Sequence, residues 1–287
     1  MTTIQTTTYA NLTTLQETAS AGDTYYETDN NRIVTWNGTN WTYYNNDGSV
    51  APYSNTYSMQ FDGANEYLSI GNPTEVNFDS DMSMSFWIKY TNISSGYITA
   101  IAKMSGGTDP QWRVYLGNQT GGTKDVRLQT WNGTARTQTN SSGLISHNQW
   151  HHIAVTIEDG VTNGTKLYID GTTAFTSTHS MVSSSYNFQI AGVGSNYFNG
   201  LIDEVALFDS ALSSTDVAAL RDTGGANPVP ADISSLSPTG WWRMGDGAAS
   251  WDGTNWTIPD QTANGNDATS VNMEEADRVS GSGNIPG

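Results

Sequence analysis

Carboxylates are the side chains here with the widest chemical range, and their spacing argues against using them in catalysis. Glycoside hydrolysis needs two carboxyl groups facing one bond from about 5 to 10 Å apart. Asp203 and Glu204 are adjacent, so on a strand they point to opposite faces. Glu274, Glu275 and Asp277 lie in a polar segment near the end of the chain and read as a solvated surface. The four histidines include one neighbouring pair, His151 and His152, again on opposite faces, while His147 and His179 stand apart. Cysteine is absent, which removes thiolate nucleophiles, thiolate metal sites and disulfides. The pattern predicts a protein that is not an enzyme.

Charge narrows the partners further. Eleven basic against 28 acidic residues give a formal net charge of −17. Such a surface repels phosphate backbones, so no nucleic acid is expected as a partner. It keeps a protein soluble and can attract divalent cations. No apolar run approaches the roughly 20 residues that span a bilayer, so no membrane insertion is expected. The first basic residue is Arg32, which leaves no basic start for a classical secretory signal.

The elements that would position any site are strands. Ten Trp, 14 Tyr and 7 Phe supply large buried areas, and Thr, Asn, Ser and Gly fill the rest, as half-exposed strands and turns require. Met84, Phe86 and Ile88 alternate with Ser83, Ser85 and Trp87, and Ile153, Val155 and Ile157 form another apolar face. Residues 111–116 and 125–131 read as neighbouring strands, and Asp170-Gly171 as a hairpin tip. Two packed antiparallel sheets should bury Phe86, Ile88, Ile153, Val155, Leu167 and Ile169. One short helix is expected, capped by Ser213 with Asp216 at its third position and Leu212 and Val217 at staple spacing.

Residues 1–24 are polar and Thr-rich, an extended arm whose Leu12 and Leu15 are the candidates for attachment to a partner surface. Residues 25–50 form a β-hairpin unit in which Asn37-Gly38 turns the chain and brings Trp36 to Trp41. The heptad Trp36-Asn37-Gly38-Thr39-Asn40-Trp41-Thr42 returns as Trp251-Asp252-Gly253-Thr254-Asn255-Trp256-Thr257. Both copies predict a cross-strand Trp pair that staples a hairpin too small for its own core. Pro228, Pro230 and Pro238 mark a linker over 223–239. Beyond it, residues 240–287 carry Trp241, Trp242 and Met244, too apolar to be left in water.

Between these flanks, residues 56–222 hold an ordered series of motifs. They are Met59-Gln60-Phe61-Asp62-Gly63, Ser83-Met84-Ser85-Phe86-Trp87-Ile88, Trp150-His151-His152-Ile153-Ala154-Val155, Lys166-Leu167-Tyr168-Ile169-Asp170-Gly171 and Gly200-Leu201-Ile202-Asp203-Glu204-Val205. In that order the series resembles the laminin-G/pentraxin-like branch of the concanavalin A-like jelly rolls. The resemblance implies an all-β, two-sheet jelly-roll sandwich. The Trp-rich strand and Asp-X-X-X-X-Gly-Asn turn that open such domains come last here, so the C-terminal segment should complete the sandwich of its own or a neighbouring subunit. Hydrolases of the superfamily carry a Glu-X-Asp-X-X-Glu strand, which this chain lacks.

The resemblance also implies calcium as a possible cofactor, with Asp62 and Asp203 at the matching positions. It implies glycan binding, for which Trp112, Trp131, Tyr97 and Tyr197 are loop-proximal candidates. The N-terminal unit resembles modules of tailed-bacteriophage fibre and virion proteins. Together these resemblances imply a virion surface protein, serving in particle decoration or host glycan attachment. Its expected partners are other virion proteins, further copies of itself and a host-surface glycan; a cellular carbohydrate-binding adhesin is the alternative.

Overall fold

In a computed structural model of the chain, the described residues are 5–7, 20, 23–27, 32–36, 41–44, 55–91, 96–105, 109–117, 122–223, 228–281 and 286. Residues 1–54 and 55–287 are two compact units. In the smaller, β1 (Gln5–Thr7), β2 (Thr24–Glu27), β3 (Arg32–Trp36) and β4 (Trp41–Tyr44) form one sheet in that order. β3 and β4 are antiparallel, with Trp36 opposite Trp41 in register, and β1 runs parallel to β2. Leu12 and Leu15 lie outside the described residues.

The larger unit is a two-sheet sandwich. Its nine-stranded sheet runs in spatial order β11 (Arg136–Ser146), β10 (Thr123–Trp131), β9 (Trp112–Leu116), β8 (Ile98–Lys103), β15 (Phe188–Ile190), β6 (Tyr67–Gly71), β24 (Ala268–Val271), β23 (Trp256–Ile258) and β22 (Ser250–Trp251). The eight-stranded sheet runs β14 (Thr172–Ser177), β13 (Thr165–Ile169), β12 (His151–Ile157), β7 (Met82–Tyr90), β18 (Asn199–Phe208), β5 (Tyr57–Asp62) and β25 (Arg278–Ser280), with β21 (Gly240–Trp242) also pairing β18. Pairing within both sheets is antiparallel.

Alternation fixes which face is buried. Phe86, Ile88, Ile153, Val155, Leu167 and Ile169 all lie in one core with Trp112, Val114, Leu116 and Leu128 from the opposite sheet, as expected from a period of two. At the β13–β14 corner Asp170 and Gly171 both take positive φ, 51° and 79°, which closes the hairpin in the sense of the strand twist. The other face of the smaller sheet is buried too. There Ser83 Oγ donates to Ser210 O and accepts from Leu212 N, fixing the chain that leads into α1 (Ser214–Ala219). Ser213 and Asp216 make the reciprocal capping box, and beyond the helix β19 (Arg221–Asp222) pairs β20 (Val229–Pro230). No helix among the described residues is long and apolar enough to cross a membrane.

The C-terminal strands complete the sandwich within the same chain. β21 pairs β18, β24 inserts beside β6, and β25 pairs β5. Trp242 is wholly buried, with its ring centroid 5.4 Å from that of Phe188 and its Nε1 donating to Asn266 O. Trp251 and Trp256 face each other at 5.7 Å on the β22–β23 hairpin, and Trp256 enters the core. This second copy of the Trp heptad is a structural staple.

Candidate functional site

On β9 the residues of odd number turn away from the core. Trp112, Val114 and Leu116 belong to the buried cluster, so Arg113 and Tyr115 occupy the outer face of the larger sheet. On β10, Val126 and Leu128 are inward, leaving Asp125, Arg127, Gln129 and Trp131 outward. Register aligns these into rungs across three strands: Arg113, Gln129 and Gln138 in one, Tyr115, Arg127 and Asn140 in the next.

The rungs are bound to one another. Gln138 Oε1 accepts from Tyr115 Oη at 2.7 Å and from Gln129 Nε2 at 2.8 Å, while its Nε2 donates to Asn140. Asp125 takes the Arg127 guanidinium at 2.7 Å. Arg113 donates from Nε to Thr99 Oγ1 and lies 4.2 Å from the Tyr115 ring centroid. Its Nη2 is buried and has no hydrogen-bond partner among the described residues. Burial pulls the Arg113 guanidinium below its ordinary value, and the charge of Arg136 adds to that, while burial pushes the Tyr115 phenol up. Arg113 nonetheless remains a cation, as arginine does in proteins generally.

The same face leads to a cavity of about 430 Å³ lined by Asp109, Gln111, Trp131, Ser184 and Tyr186, within the usual range for small-ligand sites. Backbone hydrogen bonds seat Trp131 between its neighbours: its N–H donates to Gln111 O, and its carbonyl accepts from Val182 N–H. Asn77 Oδ1 receives Ser184 N–H, and Lys103 Nζ donates to Tyr186 O, so the loop forming the outer wall is held from below. Lys103 is fully buried, and burial lowers its ammonium to about 8.

Trp131 opens a third copy of the Trp hairpin, Trp131-Asn132-Gly133-Thr134. Asn132 Oδ1 accepts from Thr134 and Ala135 N–H, as Asp252 Oδ1 does from Thr254 and Asn255 N–H. In this copy the cross-strand partner is Arg136, paired with Asp109 at 3.1 Å, where the β22–β23 hairpin has its second tryptophan. The Trp131 indole therefore lacks the staple partner of that hairpin and lines the cavity instead.

The four aromatic candidates divide. Trp131 lines the cavity. Tyr97, about half exposed at 48%, packs edge-on to Tyr115 with centroids 5.6 Å apart, and the Arg127 guanidinium carbon lies 5.2 Å from its ring centroid. Tyr97 thus adjoins the rungs. Tyr197 lies elsewhere, on the hairpin of β16 (Gly192–Val193) and β17 (Asn196–Tyr197), with its centroid 6.3 Å from that of Tyr67. Trp112 is wholly buried against Phe188 and offers no surface to a ligand. The expectation for Trp112 is corrected: its parity is that of Val114 and Leu116, and its neighbour Arg113 takes the outward position.

The two calcium candidates do not form a common site. β18 brings Asn199 opposite Asp62, so Asp203 is displaced along the ladder by about 13 Å. Asp62 Oδ1 accepts from Ala64 and Asn65 N–H within its own turn. Asp203 is fully buried and takes Asn55 Nδ2 at 2.8 Å and Glu204 N–H at 2.8 Å. Among the described residues no three acidic or histidine side chains gather closely enough to hold a metal ion. Asp62 and Asp203 thus stand at separate places on the ladder, an offset that the motif order does not encode.

Asp203 and Glu204 also depart from simple alternation. Glu204 takes φ 48°, the ladder slips between Asp203 and Ala206, and both side chains are buried. Burial, followed by the charge of Glu204, holds the Asp203 carboxyl well above the usual carboxylate range. Glu204 accepts from Trp241 Nε1 at 2.6 Å and Arg243 Nε at 3.1 Å. These bonds tie β21 to β18 from within the protein.

Residues 62–218, just over half of the chain, match the Laminin_G_3 model of the concanavalin A-like lectin/glucanases superfamily. The chain belongs to that family. Among solved structures, a proposed carbohydrate binding protein from Bacteroides ovatus ATCC 8483 is similar over 94% of this chain and 72% of its own, with TM-score 0.59 and 18% identity. Partial matches include the heptameric SAP-like pentraxin of Limulus polyphemus, with 16% identity over 60% of this chain and 88% of its own and TM-score 0.42. The carbohydrate-binding module CBM40 of the Ruminococcus gnavus IT-sialidase, bound to α2,3 sialyllactose, has 14% identity over 56% of this chain and 95% of its own, with TM-score 0.46. No curated protein matches the sequence.

Proposed function

We propose that this chain is a non-enzymatic carbohydrate-binding module that receives a glycan on the outer face of β9, β10 and β11 and in the cavity beside Trp131. The observation that carries this reading is an indole lining a cavity together with an ordered set of amides and hydroxyls. Sugar rings offer apolar C–H faces and hydroxyl edges. An aromatic face covers the first, and accessible groups such as Ser184 and Gln138 exchange hydrogen bonds with the second. Membership of a family that includes lectins agrees with this reading. The non-enzymatic part is supported by the engagement of Asp203 and Glu204 in buried bonds within the protein.

The setting we propose is the surface of a tailed-bacteriophage particle, with residues 1–54 attaching to other virion proteins or to further copies of the chain. The separate compact N-terminal unit supports it. A cellular adhesin would use the same face.

A glycan array probed with the intact protein and with Trp131→Ala tests the binding reading. Trp131→Ala should weaken binding by about thirtyfold, the cost of removing an aromatic anchor, while Trp251→Ala should retain it. Absence of glycan binding, or full affinity in Trp131→Ala, would refute it. Release of reducing sugar from a bound glycan would refute the non-enzymatic part. Deleting residues 1–54 should abolish incorporation into particles while the sandwich still melts cooperatively; normal incorporation would refute the attachment role, and recovery from a cell envelope would favour the adhesin.

A further inference from the structure

We propose that the glycan taken by this face is anionic, and that Arg113 receives its carboxylate or sulfate group. The inference rests on the carbohydrate-binding reading above and adds the chemical class of the ligand. Three guanidiniums, of Arg113, Arg127 and Arg136, lie on three adjacent strands of a chain with only 11 basic residues. Two are neutralised within the protein, Arg127 by Asp125 and Arg136 by Asp109.

Arg113 is the third. It is 9% exposed, held by Thr99 and the Tyr115 ring, and its buried Nη2 has no partner among the described residues. A guanidinium removed from water without an anion is unfavourable, and removing one partner of a buried pair leaves the same uncompensated state. An anion that meets the exposed part of Arg113 supplies the missing countercharge, although Nη2 itself is closed to solvent. The planar guanidinium, resting on a ring with Nε already committed, directs its remaining donors along its own plane. Carboxylate and sulfate oxygens accept in that geometry. A neutral hydroxyl can accept one hydrogen bond there but does not balance the charge.

Position fits a sugar substituent. Trp131 lies two residues beyond Gln129, the rung partner of Arg113, hence about 7 Å along the strand. An acidic group at Arg113 therefore leaves its sugar ring, or the next one, within reach of the indole and the cavity.

The test measures binding of the full chain to three sets of oligosaccharides. One ends in a hexuronic or sialic acid, one is its carboxyl-reduced neutral counterpart, and one is a sulfated counterpart. An anionic set should bind at least about tenfold more tightly than the neutral set, the factor a charge-assisted hydrogen bond supplies; whether carboxylate or sulfate leads identifies the anion. Arg113→Met should lose that preference while melting at the same or a higher temperature, because an unpaired buried charge has been replaced by an apolar side chain. Arg113→Lys should keep part of it. If Arg113→Met does not fold, the wild-type preference and its reduction in Arg113→Lys decide the matter. Equal wild-type affinity for acidic and neutral sets, or an acidic preference that survives in Arg113→Met, overturns this inference and leaves the carbohydrate-binding reading standing. Failure of every set to bind overturns both.

Discussion

Replacing Trp242 by alanine removes the most deeply set residue of the C-terminal strands. Its side chain is fully buried, packs on Phe188 from the opposite sheet, and donates from Nε1 to Asn266 O at 2.8 Å, while its backbone registers against Val205. Truncating a core Trp to Ala costs about 3–5 kcal/mol. Leaving the Asn266 carbonyl without its donor adds about 1 kcal/mol. In a unit of this size each 1 kcal/mol moves the melting temperature by about 2–4 °C. Trp242→Ala should therefore melt about 10–20 °C lower in differential scanning calorimetry. The transition of the 55–287 unit should stay single and independent of protein concentration, because β21, β24 and β25 pair within their own chain. A shift below about 4 °C, or a split of the 55–287 transition in which one part moves alone, would show that residues 240–280 fold apart from the sandwich.

Three further perturbations follow from burial and from backbone geometry. Burial, followed by the nearby charge of Asp277, raises the Glu66 carboxyl to about 7 against the lowering effect of the hydrogen bond from Asp62 N–H. The fold then keeps a proton that the unfolded chain has lost, so this contribution to stability declines as pH rises from about 4.5 to about 7. Glu66→Gln should flatten the decline in denaturant midpoints measured across that window; an unchanged slope would contradict it. His179 has the opposite sign: burial lowers it from 6.5 to about 4, so its contribution is present above 6.5 and is lost as pH falls towards 4. His179→Gln should reduce acid lability over that interval, and an unaltered acid limb would contradict the assignment. At Gly200, φ is 138° and a Cβ would stand 2.2 Å from Lys89 O, a backbone atom of the adjacent strand. Gly200→Ala should destabilise by more than about 2 kcal/mol in guanidinium unfolding; a loss under about 0.5 kcal/mol would refute that reasoning.

The sandwich was legible because alternation is local. Phe86 and Ile88, Ile153 and Val155, and Leu167 and Ile169 each declare a buried face within a few residues, and Ser213 with Asp216 declares a helix start. Trp242 announces its own burial by its size, though which strand it joins depends on partners far away in the chain. The site was less legible. Trp112 is conspicuous by type, yet the same alternation that places Phe86 inside places Trp112 inside; parity with Val114 and Leu116 held the correction. Arg113, Gln129 and Gln138 carry no motif and meet only through the register of β9, β10 and β11. The offset of Asp62 from Asp203 was hidden for the same reason, since motif order says nothing of position along a ladder. One signal was present in the sequence and unread: Trp131-Asn132-Gly133-Thr134 repeats the heptad with Arg136 in place of its second tryptophan, which marks the copy whose indole is not used as a staple.

Tryptophan side-chain resonances test the account most directly. The indole N–H signals of the intact protein, assigned by single Trp→Phe substitutions, should be followed while titrating the best-bound oligosaccharide from a panel of neutral and acidic glycans. The Trp131 signal should shift and saturate with the binding curve, and those of Trp112, Trp242 and Trp256 in the core should stay in place. Saturable binding that leaves Trp131 unmoved would contradict a glycan site on the face of β9, β10 and β11.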